Sequence, residues 1–125
     1  MRPETQRLWE QAQEDVVTAR RLLEVERYYA SVFFAQQAAE KAPQACYQAR
    51  FQRAIFTHDV VELAEALSAP AEVLDAAREL TSDYVTTRYP NAANAVPARL
   101  YTEASARMHL EMAERVLAWA RPHLT

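Results

Sequence analysis

Two short stretches of the chain combine residue types that can handle a phosphate group. Arg53 and His58 in RAIFTH are separated by four residues, and Arg88 directly precedes Tyr89 and Pro90 in a second stretch. An arginine guanidinium is a planar donor suited to phosphate or carboxylate, and a histidine can move protons at neutral pH. These residues are therefore candidates for an anion or nucleotide contact, or for acid–base cleavage of a phosphodiester.

The pair formed by Arg53 and His58 has a structural alternative. The imidazole of His58, or the hydroxyl of Thr57, is suited to cap a helix that begins at Asp59. Arg53 would then be solvated at the end of the preceding helix, where the helix dipole favours a positive charge. We interpret the spacing as a chance match and keep catalysis by these two residues as an alternative hypothesis.

The stretch around Arg88 allows two interpretations that the sequence alone leaves open. Pro90 restricts Tyr89 to extended conformations, and Arg88 offers its donor fork beside it. In the first interpretation, both side chains contact an anion or a nucleotide. In the second, Arg88 forms a salt bridge to an acid such as Asp83 or Glu40, and Tyr89 packs beneath the loop.

A second group of polar residues, Gln36, Gln37, Glu40 and Lys41, lies in an alanine-rich segment. They are candidates to line the same cleft as Arg88. Polar residues on a central helix more often satisfy buried polar groups or face solvent, and this interpretation is the favoured one.

Several classes of site are excluded by composition and spacing. The chain has no glycine, so it lacks a glycine-rich phosphate loop, and its single cysteine, Cys46, cannot form an intrachain disulfide. His109 and His123 are fourteen residues apart, far from the spacing of histidine ligands of zinc. We predict no metal site and no cofactor.

Charge and hydropathy limit the partners. The net charge is −3 with acidic and basic residues mixed along the chain, so a general attraction to nucleic acid is not expected and any anion site must be local. No apolar run is long enough to cross a bilayer, and MRPETQRLWEQ lacks the order of an export signal. We expect a cytoplasmic protein without a membrane partner.

Apolar residues recur at helical spacing in most of the chain, which predicts an all-α protein. We expect helices over 5–26, 28–51, within 58–70, over 72–86 and over 102–120, with a connection at 54–57 and a loop at 88–97. Pro43 predicts a kink or a division of the second helix. The predicted fold is an antiparallel up-and-down bundle of four to five helices in a single domain over residues 1–125.

Three stretches, in this order, resemble HEPN domains and together cover nearly the whole chain: DVVTARRLLEVERYYASVFFAQQAAEKA, THDVVEL, and TTRYPNA followed by YTEASA. The first stretch contains a tyrosine turn and a Gln-Gln-Ala-x-Glu-Lys signature, carried by Tyr29, Gln36, Gln37, Ala38, Glu40 and Lys41. The resemblance implies a helical bundle that often dimerises and is often encoded beside a minimal nucleotidyltransferase, in nucleotide-handling or toxin–antitoxin units.

HEPN ribonucleases carry an Arg-x(4–6)-His motif in the loop before the last helix. Arg88 stands at the arginine position, but RYPNAANAVPARL contains no histidine, and a phenol such as Tyr89 is a poor proton carrier at neutral pH. We therefore predict a non-catalytic module that dimerises, works with a minimal nucleotidyltransferase, and binds a nucleotide through Arg88, Tyr89, Lys41, Glu40 and Gln37. The alternatives are a metal-independent ribonuclease toxin acting on RNA, and a structural adaptor with no ligand.

Overall fold

The computed structural model describes residues 1–124, apart from the side chains of residues 92 and 93. It contains five helices of seven residues or more, and no strand occurs among the described residues. Two single helical turns, α5 and α6, precede the last helix. The helices are α1 (Pro3–Glu24), α2 (Tyr28–Phe51), α3 (Val60–Ala66), α4 (Ala71–Thr81), α5 (Asp83–Thr86), α6 (Pro90–Ala93) and α7 (Glu103–Ala120).

The long helices α1, α2, α4 and α7 alternate in direction, which confirms the predicted up-and-down bundle. After α3, Leu67 lies beside Cys46 near the end of α2, whereas Arg88, beyond α4, reaches back to Phe33 near its start. The end of α1 shares a groove with Glu103 at the start of α7, so these two helices are antiparallel.

The predicted apolar stripes of α1 and α7 are confirmed. Alanine is abundant in both stripes, and small side chains let neighbouring helices approach closely while larger ones fill the remaining space. The buried members of the two stripes are Ala12, Val16, Ala19, Leu23, Ala106, Leu110, Ala113, Leu117 and Ala120.

The second helix decides against one of the two outcomes predicted at Pro43. It is a single helix from Tyr28 to Phe51 with Pro43 buried inside it, so the alternative of a division into two helices is wrong. The missing hydrogen bond and the ring clash cost about 3 kcal/mol in an unsupported helix, and packing against α1, α3 and α7 offsets that cost. Phe33 and Lys41 of this helix are only partly buried.

The chain makes its tight turns without glycine. Glu26, Gln52, Ser68 and Asn94 adopt positive φ angles of 62°, 58°, 54° and 55°. Left-handed backbone costs a non-glycine residue about 1 kcal/mol. The packing of the helices on either side therefore holds these turns in place.

The segment before α7 also departs from its prediction. The helix expected over 72–86 ends at Thr81, and α5 begins separately at Asp83. Within the predicted loop, α6 and a short 3-10 turn at Pro97–Arg99 supply local helical structure. None of the described helices combines the length and apolar character needed to cross a membrane.

Candidate functional site

The middle of α2 carries a connected set of polar side chains, here called the α2 polar row: Gln36, Gln37, Glu40, Lys41 and Gln44. Gln36 is fully buried and donates to Glu40 Oε2 over 2.9 Å, while Gln44 donates to Glu40 Oε1 over 3.3 Å. Gln37 donates to Gln36 Oε1 over 2.9 Å. Glu40 is therefore the common acceptor of the row.

The positive charge of Lys41 is paired with a carboxylate of the same chain. Its Nζ forms an ion pair with Asp15 of α1, whose side chain is only 3% exposed, and also donates to Gln37. Asp15 accepts a further hydrogen bond from Gln11. Because a buried carboxylate needs a compensating charge, Lys41 fastens α1 to α2. A ligand at Lys41 would have to compete with Asp15.

Glu40 also binds the imidazole of His58. Glu40 Oε1 lies 2.7 Å from His58 Nδ1, and the side chains are 9% and 58% exposed respectively. A carboxylate oxygen accepts, so Nδ1 carries the hydrogen. The other ring nitrogen, Nε2, has no hydrogen-bond partner in the described part of the chain. The pair thus presents an oriented imidazole at the protein surface.

The capping role considered for His58 belongs to its neighbour instead. The side chain of Asp59 accepts from the backbone N–H groups of Val61 and Glu62, over 2.9 and 3.2 Å. Thr57 Oγ1 accepts from the N–H of Asp59. The imidazole of His58 is therefore not engaged in starting α3.

This imidazole is the last of four planar side chains that lie in contact one after another. The His58 ring is 3.9 Å from the Tyr84 ring and tilted by only 18°. The Arg88 guanidinium carbon lies 4.0 Å from the centre of the Tyr84 ring and 4.1 Å from that of Phe33. One face of Tyr84 cannot hold both groups at such distances, so they cover opposite faces. We call this arrangement the Tyr84 stack, in the order Phe33, Arg88, Tyr84, His58.

Arg88 is held by its aromatic neighbours and not by an acid. Its Nη1 donates to the carbonyl of Tyr84 over 2.7 Å, and each ring face attracts the cation by about 0.5–2 kcal/mol. The predicted salt bridge to Asp83 or Glu40 is absent among the described residues, so that interpretation is wrong. Tyr89 is 50% exposed and is not packed beneath the loop.

Arg53 and His58 have separate partners. Arg53 Nε donates to the hydroxyl of Tyr47 over 3.2 Å, whereas His58 is held by Glu40 and Tyr84. No contact joins the two within residues 1–124. The tertiary structure instead places His58 and Arg88, thirty residues apart in sequence, on the two faces of Tyr84.

A second polar site, here called the Asp83 cluster, consists of Asp83 and His109, which are buried, and Thr86 and Tyr101, which are half-buried. Tyr101 donates to Asp83 Oδ1 over 3.0 Å, and Thr86 lies 2.6 Å from the Tyr101 oxygen. His109 Nε2 lies 3.3 Å from Asp83 Oδ2. Burial raises the pKa of Asp83 to about 6 and that of Tyr101 to about 12.

Sequence reasoning missed the Asp83 cluster, although a signal was present. His109 lies next to Leu110 on the apolar stripe of α7, and Asp83 follows Leu80 at helical spacing. A titratable residue that continues a buried stripe has to find a partner from another element. That pattern, and not metal-ligand spacing, marks such a site.

Metal binding has no support in the described residues, because no group of three or more His, Cys, Asp or Glu side chains is placed to hold an ion. A surface groove between α1 and α7 lies away from the Tyr84 stack and is lined in part by Gln13, Arg20 and Glu114. None of the four residues of the Tyr84 stack lines that groove.

Comparison with known proteins gives consistent similarities. The profile of the HEPN domain matches residues 5–123. The structure is similar to that of TT1696 from Thermus thermophilus, with a TM-score of 0.91 and 31% identity over 98% of this chain and 100% of that one. A comparison with functionally curated proteins found no match.

Two further crystal structures are similar. An archaeal HEPN homologue has a TM-score of 0.84 and 28% identity over 97% of this chain and 98% of that chain. An HEPN domain protein from Thermotoga maritima has a TM-score of 0.59 and 26% identity, over 94% and 91%.

Proposed function

Because the chain belongs to the HEPN domain family, we propose that it is a non-catalytic module that dimerises, works with a minimal nucleotidyltransferase in a toxin–antitoxin-like unit, and binds a nucleotide at the Tyr84 stack. The observation that carries the nucleotide site is the position of Arg88 between Phe33 and Tyr84. A guanidinium fixed in this way needs little further ordering when a phosphate arrives.

The donors of Arg88 support a phosphate as the contacted group. One nitrogen, Nη1, is used by the carbonyl of Tyr84, and no carboxylate neutralises the guanidinium among the described residues. The other N–H groups form the planar fork that suits phosphate oxygens. Tyr89, next in sequence, is half-exposed, and we propose that its phenol hydroxyl also contacts the ligand.

The imidazole of His58 supports recognition of the base. One face of its ring lies on Tyr84, and its side chain is 58% exposed. The opposite face therefore offers a platform on which a nucleobase can stack, a contact worth about 1–3 kcal/mol. In this arrangement Glu40 orients the ring and does not contact the ligand.

The absence of a histidine from the loop between Arg88 and Leu100 favours a partner as the source of catalysis. Arg88 alone can stabilise phosphate charge but cannot carry protons at neutral pH. A minimal nucleotidyltransferase bound to the dimer would supply that chemistry. Lys41 and Gln37 then stabilise the bundle that carries the site.

The nucleotide site is tested by calorimetric titration of ATP into wild-type protein and two variants. Arg88→Gln is expected to weaken binding at least tenfold, because it removes the charge and the donor fork. Arg78→Gln is the matched control, since Arg78 is an exposed arginine that pairs with Asp75. Equal affinity in all three proteins would remove the stack from the proposal.

The partnership is tested by co-expressing the chain with a minimal nucleotidyltransferase encoded beside it and measuring the mass of the complex by light scattering. We expect the two proteins to elute together, with two copies of this chain in the complex. An adaptor without a ligand would keep this complex but show no binding of ATP.

A second candidate function is metal-independent RNA cleavage through His58. The observation that favours it is the 2.7 Å contact between Glu40 and His58 Nδ1, which leaves Nε2 for proton transfer. A labelled RNA is incubated with wild-type, His58→Ala and His123→Ala proteins. Cleavage lost only with His58→Ala would replace the non-catalytic proposal, and intact RNA in every sample would exclude this candidate.

A further inference from the structure

In the Asp83 cluster, the hydrogen-bond partner of His109 Nδ1 shows that this nitrogen is protonated. His109 Nδ1 lies 2.6 Å from the carbonyl oxygen of Ser105. A carbonyl only accepts, so Nδ1 carries a hydrogen. In a neutral imidazole the other nitrogen, Nε2, then has a lone pair and no hydrogen. It lies 3.3 Å from Asp83 Oδ2.

The carboxyl of Asp83 is satisfied on one oxygen only. Oδ1 accepts from the Tyr101 hydroxyl, whose own oxygen accepts from Thr86. Oδ2 is buried and has no hydrogen bond of regular geometry within the described chain, although His109 Nε2 is its neighbour. If Asp83 were ionised and His109 neutral, two lone pairs would face each other out of water, which is costly.

We propose that Asp83 and His109 hold one shared proton, and that this proton fastens α5, with Tyr84 and Arg88, to α7. The proton lies either on Oδ2, donating to Nε2, or on Nε2, donating to Oδ2; both placements satisfy both atoms. Its loss as the pH rises separates the two groups and loosens the Tyr84 stack. The consequence for nucleotide binding rests on the proposed function, whereas the shared proton does not.

The turn between Asp83 and Arg88 can transmit such a movement because it is short and internally bonded. Arg88 Nη1 is tied to the carbonyl of Tyr84, and Thr87 donates through both its N–H and its hydroxyl to the carbonyl of Asp83. The backbone N–H of Tyr89 donates to the carbonyl of Val85. A displacement of Asp83 therefore also displaces Tyr84 and Arg88 of the Tyr84 stack.

The charged surroundings agree with a retained proton. The titratable groups facing Asp83 are His109 of α7, Tyr101 before α7 and Glu79 of α4. Burial is the main cause that raises the pKa of Asp83, His109 and Tyr101 lower it, and Glu79 adds a smaller upward effect; the net pKa is about 6. A carboxyl whose folded pKa is raised contributes stability that is present at acid pH and is lost as the pH rises through about 6.

Thermal unfolding of wild-type protein and Asp83→Asn at pH 5 and pH 8 tests the shared proton. The asparagine amide donates permanently to Nε2 and its oxygen still accepts from Tyr101, so this variant needs no proton. The Tm of Asp83→Asn relative to wild type is expected to rise by roughly 5 °C between pH 5 and pH 8. Asp75→Asn, an exposed residue of α4, is the control for charge and should follow wild type.

Equal pH dependence in wild type and a folded Asp83→Asn would overturn the proposal. If Asp83→Asn does not fold, His109→Gln replaces it, because its amide donates to Oδ2 without titrating. A carbon-13 titration that follows the wild-type Asp83 carboxyl and the His109 ring together is a second test that needs no variant. Two independent titrations, each at the ordinary value of an exposed residue, would also overturn the proposal.

The link to the stack has its own readout. The guanidinium of Arg88 lies close to two aromatic rings. Ring currents therefore make the NMR chemical shift of its Nε–H group sensitive to the distance from those rings. It should move between pH 5 and pH 8 in wild type and move less in Asp83→Asn; equal movement would remove the link. If the resonance behaves as expected while ATP binds to neither protein, the inference stands and the nucleotide proposal fails.

Discussion

The chain contains two carboxylate–histidine pairs that differ in separation and in the exposure of the histidine. Glu40 and His58 are 2.7 Å apart, and the histidine side chain is 58% exposed. Asp83 and His109 are 3.3 Å apart, and the histidine side chain is 10% exposed. The closer pair is the one that faces solvent, so the shorter distance does not identify the more deeply buried contact.

The difference teaches that exposure of the imidazole, more than the identity of its partner, decides what the pair can do. His58 has one nitrogen fixed by Glu40 and the other without a partner among the described residues, so it can meet a ligand. His109 has Nδ1 bound to the Ser105 carbonyl and Nε2 facing Asp83, so it acts within the fold.

The largest expected effect is the loss of the buried pair. Asp83→Ala leaves the hydroxyl of the half-buried Tyr101 without its acceptor and Nε2 of the buried His109 without its neighbour. We expect the free energy of unfolding to fall by about 3 kcal/mol, measured by urea denaturation at pH 5, where the pair holds its proton. Asp83→Asn is the control. A loss below about 1 kcal/mol in Asp83→Ala would mean that this cluster stabilises the fold no more than an exposed ion pair does.

Glu40→Ala should have the next largest effect, because Glu40 is the buried member of the exposed pair. Gln36 and Gln44 lose their common acceptor, and His58 loses its orientation. A loss of about 2 kcal/mol is expected in the same denaturation experiment. Glu40→Gln retains an acceptor and should lose less; an equal loss would show that charge, and not hydrogen bonding, holds the α2 polar row.

The smallest effect is expected for His58→Ala, despite the 2.7 Å contact. An exposed partner of a carboxylate contributes little, because water replaces it, and a change within about 0.5 kcal/mol is expected. A loss above about 1.5 kcal/mol would mean that stacking on Tyr84 is a main support of the segment before α3, and the comparison between the pairs would fail.

The bundle itself could be read from periodicity. The helical spacing of apolar residues in α1 and α7 is confirmed, because it depends on neighbours along one helix, which the sequence reports directly. The Thr102 cap of α7 is a local feature of the same kind. Pro43 shows the limit of that reasoning. Its local cost is known, but the packing around α2 that offsets the cost involves residues distant in sequence.

The candidate site could be predicted only in part. Glu40, Lys41 and Arg88 were selected from the sequence, but their partners Asp15, His58 and Phe33 come from other elements. The spacing along the sequence suggested a pair of His58 with Arg53, whereas in the folded chain His58 contacts Glu40 and Tyr84. A contact between elements depends on how helices are oriented, and linear spacing carries no such information.

By itself, the sequence determined the helical class, the resemblance to HEPN domains and the small set of polar residues able to meet an anion. Hydrophobic period and residue type are local properties, and each helix inherits them directly. Only the tertiary structure decided which histidine lies open beside Arg88 and which is enclosed with Asp83. That choice depends on burial, and burial is a property of how the helices pack together.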